Sequence, residues 1–341
     1  MRHDEEARCV PFRLPVSPAG RPAGEWEVAG DLYLPATPAR TVQVLLPGLT
    51  YDRRYWTLPG AYNYAEHMCR AGYAVVAMDR IGTGASSRPP YGEVATDNHA
   101  HVLHQVVQAL RDGAIGGVAF DRVVTVGHSY GSGIAIVEAA RHQDVDGLIV
   151  SGMLHTTTKL YAEVRAFFHH ASEDPILGPA APEGGWPEYY MTQRPGLRAR
   201  MLEHAPGIEP EMSELNERIK ATATLGEGES LPVTYEVEHS LAIKVPVLVV
   251  VGEHDALFSS EHVAFAAESG PVHDFEKEFY APEARLEAHV LPGAGHSLNI
   301  HRNAADWFET ARRWADERIG AAPEAVTGAV TEVGPAEPRP V

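Results

Sequence analysis

An α/β fold, with a mostly parallel sheet covered by helices, is predicted from three observations. Strand-like and helix-like segments alternate along most of the chain. The strand-like segments are continuous Val/Ile/Leu runs rather than alternating ones, as expected of strands buried on both faces. One long stretch, 153–240, interrupts the alternation and offers no convincing strand.

The elements follow in order. Residues 1–24 carry prolines and arginines and read as an irregular lead-in. EWEVAGDLYLP (25–35) alternates polar and apolar residues and suits half of an opening hairpin. TVQVLLPG (41–48) is a buried strand stopped by Pro-Gly, and AYNYAEHMCRAG (61–72) has helical spacing and a glycine stop. YAVVAMDR (73–80) is a strand. TDNHAHVLHQVVQALRD (96–112) is a helix with Asp97 or Asn98 as its expected N-cap. RVVTVGHS (122–129) is a strand and YGSGIAIVEAARH (130–142) the helix after it. VDGLIVSG (145–152), VPVLVVVGEHD (245–255) and RLEAHVLPG (285–293) are further strands, and 303–319 is an amphipathic closing helix.

The domain reading is therefore a core in two parts, 25–152 and 241–319, split by a helical cap at 153–240 after the sixth strand. TKLYAEVRAFFHH is among the cap's expected helical stretches. Residues 320–341 are rich in Pro, Ala and Glu and read as a disordered tail. No internal repeat is visible.

Composition narrows the function. The 341 residues carry 28 Lys+Arg against 46 Asp+Glu, a net charge of −18, which argues against a phosphate-binding surface and so against nucleic acid as a partner. The two cysteines, Cys9 and Cys69, form no CxxC pair, so neither a disulfide framework nor a zinc knuckle is expected. The N-terminal MRHDEEARCVPFRLPV has no apolar run of the kind a signal peptide needs. No window approaches 18 apolar residues, so no membrane span is expected and a cytoplasmic location is the default.

The chemistry centres on VVTVGHSYGSG (123–133). Gly-x-Ser-x-Gly alone is modest evidence, but here it follows a hydrophobic strand and precedes a helix, as a nucleophile elbow requires. Gly127 and Gly131 remove Cβ atoms that would clash in so tight a turn. Ser129 then stands at the sheet's C-terminal edge, near free N–H groups that favour developing negative charge. A serine hydroxyl needs a base, oriented in turn by a carboxylate. LPGAGHSLNIH supplies His296 and VPVLVVVGEHDALF supplies Asp255, each after a late strand. The order Ser129, Asp255, His296 is that of an α/β-hydrolase.

Four separated segments carry a wider resemblance: LLPGLTYDRRYW, MDRIGTGASSRPP, VGHSYGSG and the pair VVVGEHD…PGAGHSLN. Over about 25–152 and 241–319 the sequence resembles an α/β-hydrolase fold serine hydrolase with a cap. The resemblance implies an oxyanion hole from the backbone N–H groups of Tyr130 and Leu49. Related loops read His-Gly-x where this one reads Pro47-Gly48-Leu49, which removes a side chain and one N–H but keeps the donor at Leu49. The family spacing Gly-x-x-Asp, met by Gly252 and Asp255, favours Asp255 over Glu253. His301 is the alternative to His296 as base, and His128 is expected to pack under the turn. Asp79 and Arg80 are expected to brace the loop after 73–80 rather than touch substrate.

His99, His101 and His104 cluster on one helix, but imidazoles without a placed carboxylate make a weak metal site, and a solvated or partly packed face is the better reading. Neither metal nor cofactor is expected at the site. The expected activity is hydrolysis of an ester, lactone or thioester of a small to medium apolar molecule through an acyl-enzyme. The same triad also serves C–C bond hydrolysis, acyl transfer or cyclisation on this fold, and a non-catalytic binding protein is a more remote alternative. The expected partner is a small-molecule substrate, with no membrane partner, and a homodimer stays open. Tyr161, Phe167, Phe168, Trp186, Tyr189, Tyr190 and Met191 are the cap side chains from which an apolar pocket roof is expected.

Overall fold

The computed structural model describes residues 8–22, 24–259, 261 and 268–320. Eight strands form one sheet. They are β1 (Arg8–Val16), β2 (Trp26–Leu34), β3 (Thr41–Leu46), β4 (Ala74–Met78), β5 (Arg122–His128), β6 (Gly147–Ser151), β10 (Val247–Gly252) and β11 (Glu287–Leu291), in the spatial order β1-β2-β4-β3-β5-β6-β10-β11. β2 runs antiparallel to both β1 and β4, and every other pairing is parallel. Every residue of β3, β4, β6 and β10 is buried, which is why these segments read as unbroken Val/Ile/Leu runs.

Helices α1 (Tyr64–Arg70), α2 (Thr96–Arg111), α3 (Tyr130–His142), α9 (Ser269–Glu276) and α10 (Ala304–Arg318) belong to this layer. α3 packs against β5 and β6 and against α2 beside it. Trp307 of α10 stacks on Tyr64 of α1 and Phe308 meets the same ring edge-on, closing the core at the other end of the chain. The N-cap expected at Asp97 or Asn98 is not formed. α2 starts at Thr96, whose backbone N–H is taken by Ser230 Oγ, from the 153–240 stretch, at 2.9 Å.

The lead-in at 1–24 is not irregular throughout. β1 pairs with all of β2, from Arg8↔Leu34 to Val16↔Trp26. Its outer position leaves one face to solvent and breaks the continuous apolar run that marks the central strands. The tail expected at 320–341 lies outside the described residues from 321 onward.

The stretch 153–240 is not purely helical either. It holds α4 (Lys159–Glu163), α5 (Leu197–Leu202), α6 (Pro210–Arg218), α7 (Leu225–Ser230) and α8 (Val237–Ala242), and also a three-stranded antiparallel sheet. Its strands are β7 (Phe168–His170), β8 (Tyr190–Gln193) and β9 (Ala223–Thr224). The helix expected across 158–170 ends early: α4 gives way to a tight turn at Val164–Phe167 and then to β7. Strands of two to four residues are too short to show a period-2 pattern. Polar partners help to hold this sheet: buried Lys220 reaches Asp174 at 2.6 Å, and Asp174 also meets His169 at 3.1 Å.

Candidate active site

β5 and β3 are neighbours, while β4 lies on the other side of β3, so the chain reverses direction in the sheet next to the end of β5. Such a reversal opens a crevice beyond the carboxyl ends of the strands. Ser129 sits there, between β5 and α3, with φ 53° and ψ −121°. A non-glycine residue held there stores about 1–3 kcal/mol of strain. The turn survives because its neighbours leave no room for side chains. A Cβ on Gly127 would meet Ser132 N at 2.3 Å, and one on Gly131 would meet Leu46 O at 2.3 Å. Ser129 N–H donates to Ser151 O at 2.7 Å, fixing the elbow to β6.

The structure brings Asp255 and His296 together. His296 Nδ1 lies 2.8 Å from Asp255 Oδ2, and both side chains are buried. Asp255 Oδ1 accepts from the N–H groups of Leu257 and Phe258, at 2.9 and 3.2 Å, so the carboxylate cannot swing away. The two loops approach closely at Gly252, where a Cβ would sit 2.2 Å from Gly295 O. The Phe258 ring stacks on His296 with centroids 5.6 Å apart. Ser129 and His296 line the same cavity, and no hydrogen bond joins them. Such bonds are commonly long until substrate is bound.

The rival side chains are otherwise engaged. His301 Nε2 accepts from the N–H groups of Gly295 and His204, at 2.8 and 3.1 Å, and its Nδ1 donates to Ser297 O at 3.0 Å. Both ring nitrogens are thus used, and burial pulls its pKa down to about 4. Glu253 Oε2 accepts from Gly293 N at 2.8 Å, away from His296. His128 lies under the turn, stacked on Tyr55 with centroids 4.5 Å apart, and burial first and then His296 push its pKa well below the usual imidazole range.

Leu49 and Tyr130 both line the cavity, and among the described residues neither backbone N–H has a backbone partner. Arg80, named only as a brace, does more than hold its own loop. It donates from Nε to Pro47 O at 2.9 Å and from Nη2 to Gly48 O at 3.1 Å, and it pairs with Glu227 of α7. Asp79 does brace its loop, accepting from Ala85 N at 2.7 Å and Arg53 N at 3.0 Å.

The cavity has a volume of about 520 Å³. Of the seven cap side chains expected at its roof, Tyr161, Phe168, Tyr189 and Met191 line it. Phe167, Trp186 and Tyr190 do not. Tyr190 Oη donates to Pro89 O and Trp186 Nε1 to Leu177 O, both at 2.7 Å, while Phe167 lies beneath Arg200. Sequence reasoning missed Tyr51, Gln193 and Tyr235 in the wall. Tyr51 is held by Asn216 and Ser297, and buried Arg198 lies 4.1 Å over its ring. The Tyr51 signal was present, since it falls in a segment that carries the family resemblance.

A model of the α/β hydrolase family matches residues 43–311. The chain belongs to the α/β hydrolase family. Solved structures similar to this hydrolase include an esterase from Thermogutta terrifontis (20% identity, TM-score 0.58, covering 90% of this chain and 98% of that one). A monoacylglycerol lipase from Paleococcus ferrophilus is 17% identical with TM-score 0.57, covering 86% and 99%. The enol-lactonase from Burkholderia xenovorans is also 17% identical, with TM-score 0.55, covering 85% and 96%. At these identities the likeness is one of fold. None of the curated proteins matches this hydrolase in sequence. No helix among its described residues is long and apolar enough to cross a membrane.

Proposed function

We propose that this hydrolase cleaves an ester, lactone or thioester of a small to medium apolar molecule through an acyl-enzyme on Ser129. The observation that carries the reading is one cavity wall. It joins a serine held at positive φ to a histidine whose Nδ1 is fixed on a buried carboxylate. An esterase, a lipase and a lactonase among the structural neighbours are in keeping with it.

In the proposed reaction, Asp255 accepts the Nδ1 hydrogen bond of His296, which leaves Nε2 as the acceptor for the serine proton. Ser129 Oγ attacks the substrate carbonyl carbon. The carbonyl oxygen becomes an oxyanion, met by the N–H groups of Leu49 and Tyr130. His296 hands its proton to the leaving alcohol or thiol. Water then enters, gives a proton to His296, and attacks the acyl carbon. Collapse returns the proton to Ser129 and releases the acid. The Arg80 bonds to the Pro47 and Gly48 carbonyls hold the loop so that Leu49 N–H needs no reorganisation when charge develops.

The test is labelling with a fluorophosphonate probe, followed by mass-spectrometric site mapping and product identification on a panel of esters, lactones and thioesters. The expected result is modification at Ser129 alone and free acid as product. Labelling elsewhere, or a condensed or rearranged product without free acid, overturns the proposal.

A further inference from the structure

The histidines of α2 take no part in the proposed chemistry, and the helix does not present them on one face. Five residues apart is about 140° around a helix. His99 accordingly turns inward and meets Glu227 at 3.0 Å, while His104 points toward the end of α3.

The carboxylate partners absent from the local sequence come from that end of α3. His104 Nδ1 lies 2.7 Å from Asp144 Oδ2, and Gln108 Nε2 donates to the same oxygen at 2.6 Å. Glu138 is wholly buried, and no N–H or hydroxyl group reaches its carboxylate oxygens, whose one polar neighbour of note is the Asp144 carboxylate. Asp144 Oδ1 is also buried and unpaired. One ligand atom from each of His104, Glu138 and Asp144 fits within 4.8 Å of the others. The neighbouring cation Arg111 is committed elsewhere, to Asp144 O at 2.6 Å and Asp146 Oδ2 at 2.7 Å.

A buried carboxyl beside a second carboxylate either keeps its proton and shares it with that neighbour, as burial and then Asp144 favour here, or gives it up to a bound cation. One imidazole nitrogen and two carboxylates are a donor set that suits a divalent first-row ion. Ligand distances of about 2.0–2.2 Å put tetrahedral donors roughly 3.3–3.6 Å apart, so ligand atoms within 4.8 Å of one another need draw in only slightly to close on an ion. The surroundings also orient the ligands. His104 is stacked flat on His142, with centroids 3.9 Å apart, and Gln108 holds Asp144. Partners of this kind fix ligand geometry in metal sites.

We propose that His104, Glu138 and Asp144 form a binding site for a divalent transition-metal cation of the Zn²⁺ type, which clamps α2 to the end of α3. Glu138 is eight residues beyond Tyr130, about 12 Å along the helix axis. The ion is therefore a structural clamp, remote from Ser129.

The test uses the full chain, stripped with a chelator and titrated with ZnCl2 by isothermal calorimetry, with thermal unfolding alongside. The expected result is one Zn²⁺ per chain bound at micromolar concentration or tighter, with a higher Tm in its presence. Glu138→Gln and His104→Gln should each weaken binding by at least about tenfold. Circular dichroism checks that each variant is folded. If Glu138→Gln is not, His104→Gln decides, since that side chain is partly exposed. No saturable binding up to millimolar Zn²⁺ overturns the proposal. So does unchanged affinity in the folded variants, which would assign the ion to the neighbouring His101 and His142.

Discussion

Arg80 and Glu227 form an ion pair between the end of β4 and α7 of the 153–240 stretch, with neither side chain more than 1% exposed. The pair ties the 47–49 loop to α7, because the same guanidinium holds the Pro47 and Gly48 carbonyls. Arg80→Met should cost about 3–5 kcal/mol, because it leaves the Glu227 charge buried and unmatched. It should also lower kcat by up to about a hundredfold through misplacement of the loop. The double variant Arg80→Met/Glu227→Leu should lose less stability than the two single losses added together. Urea unfolding of all three variants measures the coupling, and strict additivity would dissolve the pair.

Ser129→Ala should lower kcat by about four orders of magnitude or more on any substrate turned over by the acyl-enzyme route. Ser129→Gly should be equally inactive and yet more stable than the alanine variant by about 1 kcal/mol. Glycine adopts the elbow conformation without the strain that alanine retains. Chemical denaturation of the two variants side by side checks this. Equal stabilities would mean that the turn stores no strain.

The cavity wall predicts acyl selectivity. Each buried methylene is worth up to about 0.8 kcal/mol, roughly fourfold in kcat/KM. Values should climb from acetyl to hexanoyl p-nitrophenyl esters. Phe168→Ala should flatten that climb, whereas Trp186→Ala, outside the lining, should not. A decline from acetyl upward in both variants and wild type counts against selection by the cap.

His301 sets an acid limit on stability. Burial holds its folded pKa near 4, below the ordinary imidazole value of about 6.5. Between these values the unfolded chain binds a proton that the folded chain does not. Stability is therefore full above about pH 6.5 and falls as pH drops toward 4, by up to about 3 kcal/mol from this residue. Buried His128 and His99 shift in the same direction. His301→Gln should reduce the slope of unfolding free energy against pH without abolishing it. An unchanged slope would show that His301 is not responsible.

The parallel core was legible because burial on both faces writes itself as apolar runs, and α3 starts and stops at the predicted residues, 130 and 142. The serine, aspartate and histidine loops were legible for a related reason. Each follows a strand that is easily recognised. What escaped were features whose partners are distant in sequence. β1 depends on β2, and β7, β8 and β9 depend on each other and on Lys220. Arg80 could be noticed but not placed, since its acidic partner lies 147 residues further on. Aromatic content alone also could not separate the lining Phe168 from Phe167, which packs under Arg200.

The outer strand β1 bears on self-association. An open sheet rim is a template onto which a second chain can add its own strand. Pro11 and Pro15 lie an even number of residues apart in β1, so they stand in equivalent positions of the ladder, and neither has an N–H to offer. Arg8 and Arg13 put charge on the same rim, with Arg13 anchored to Glu27 of β2. A neighbouring copy docking edge-on would find missing donors and the exposed charge of Arg8. The hairpin thus works as a selvedge that finishes the fabric on one side, and two copies of this chain gain little by weaving a continuous sheet through it.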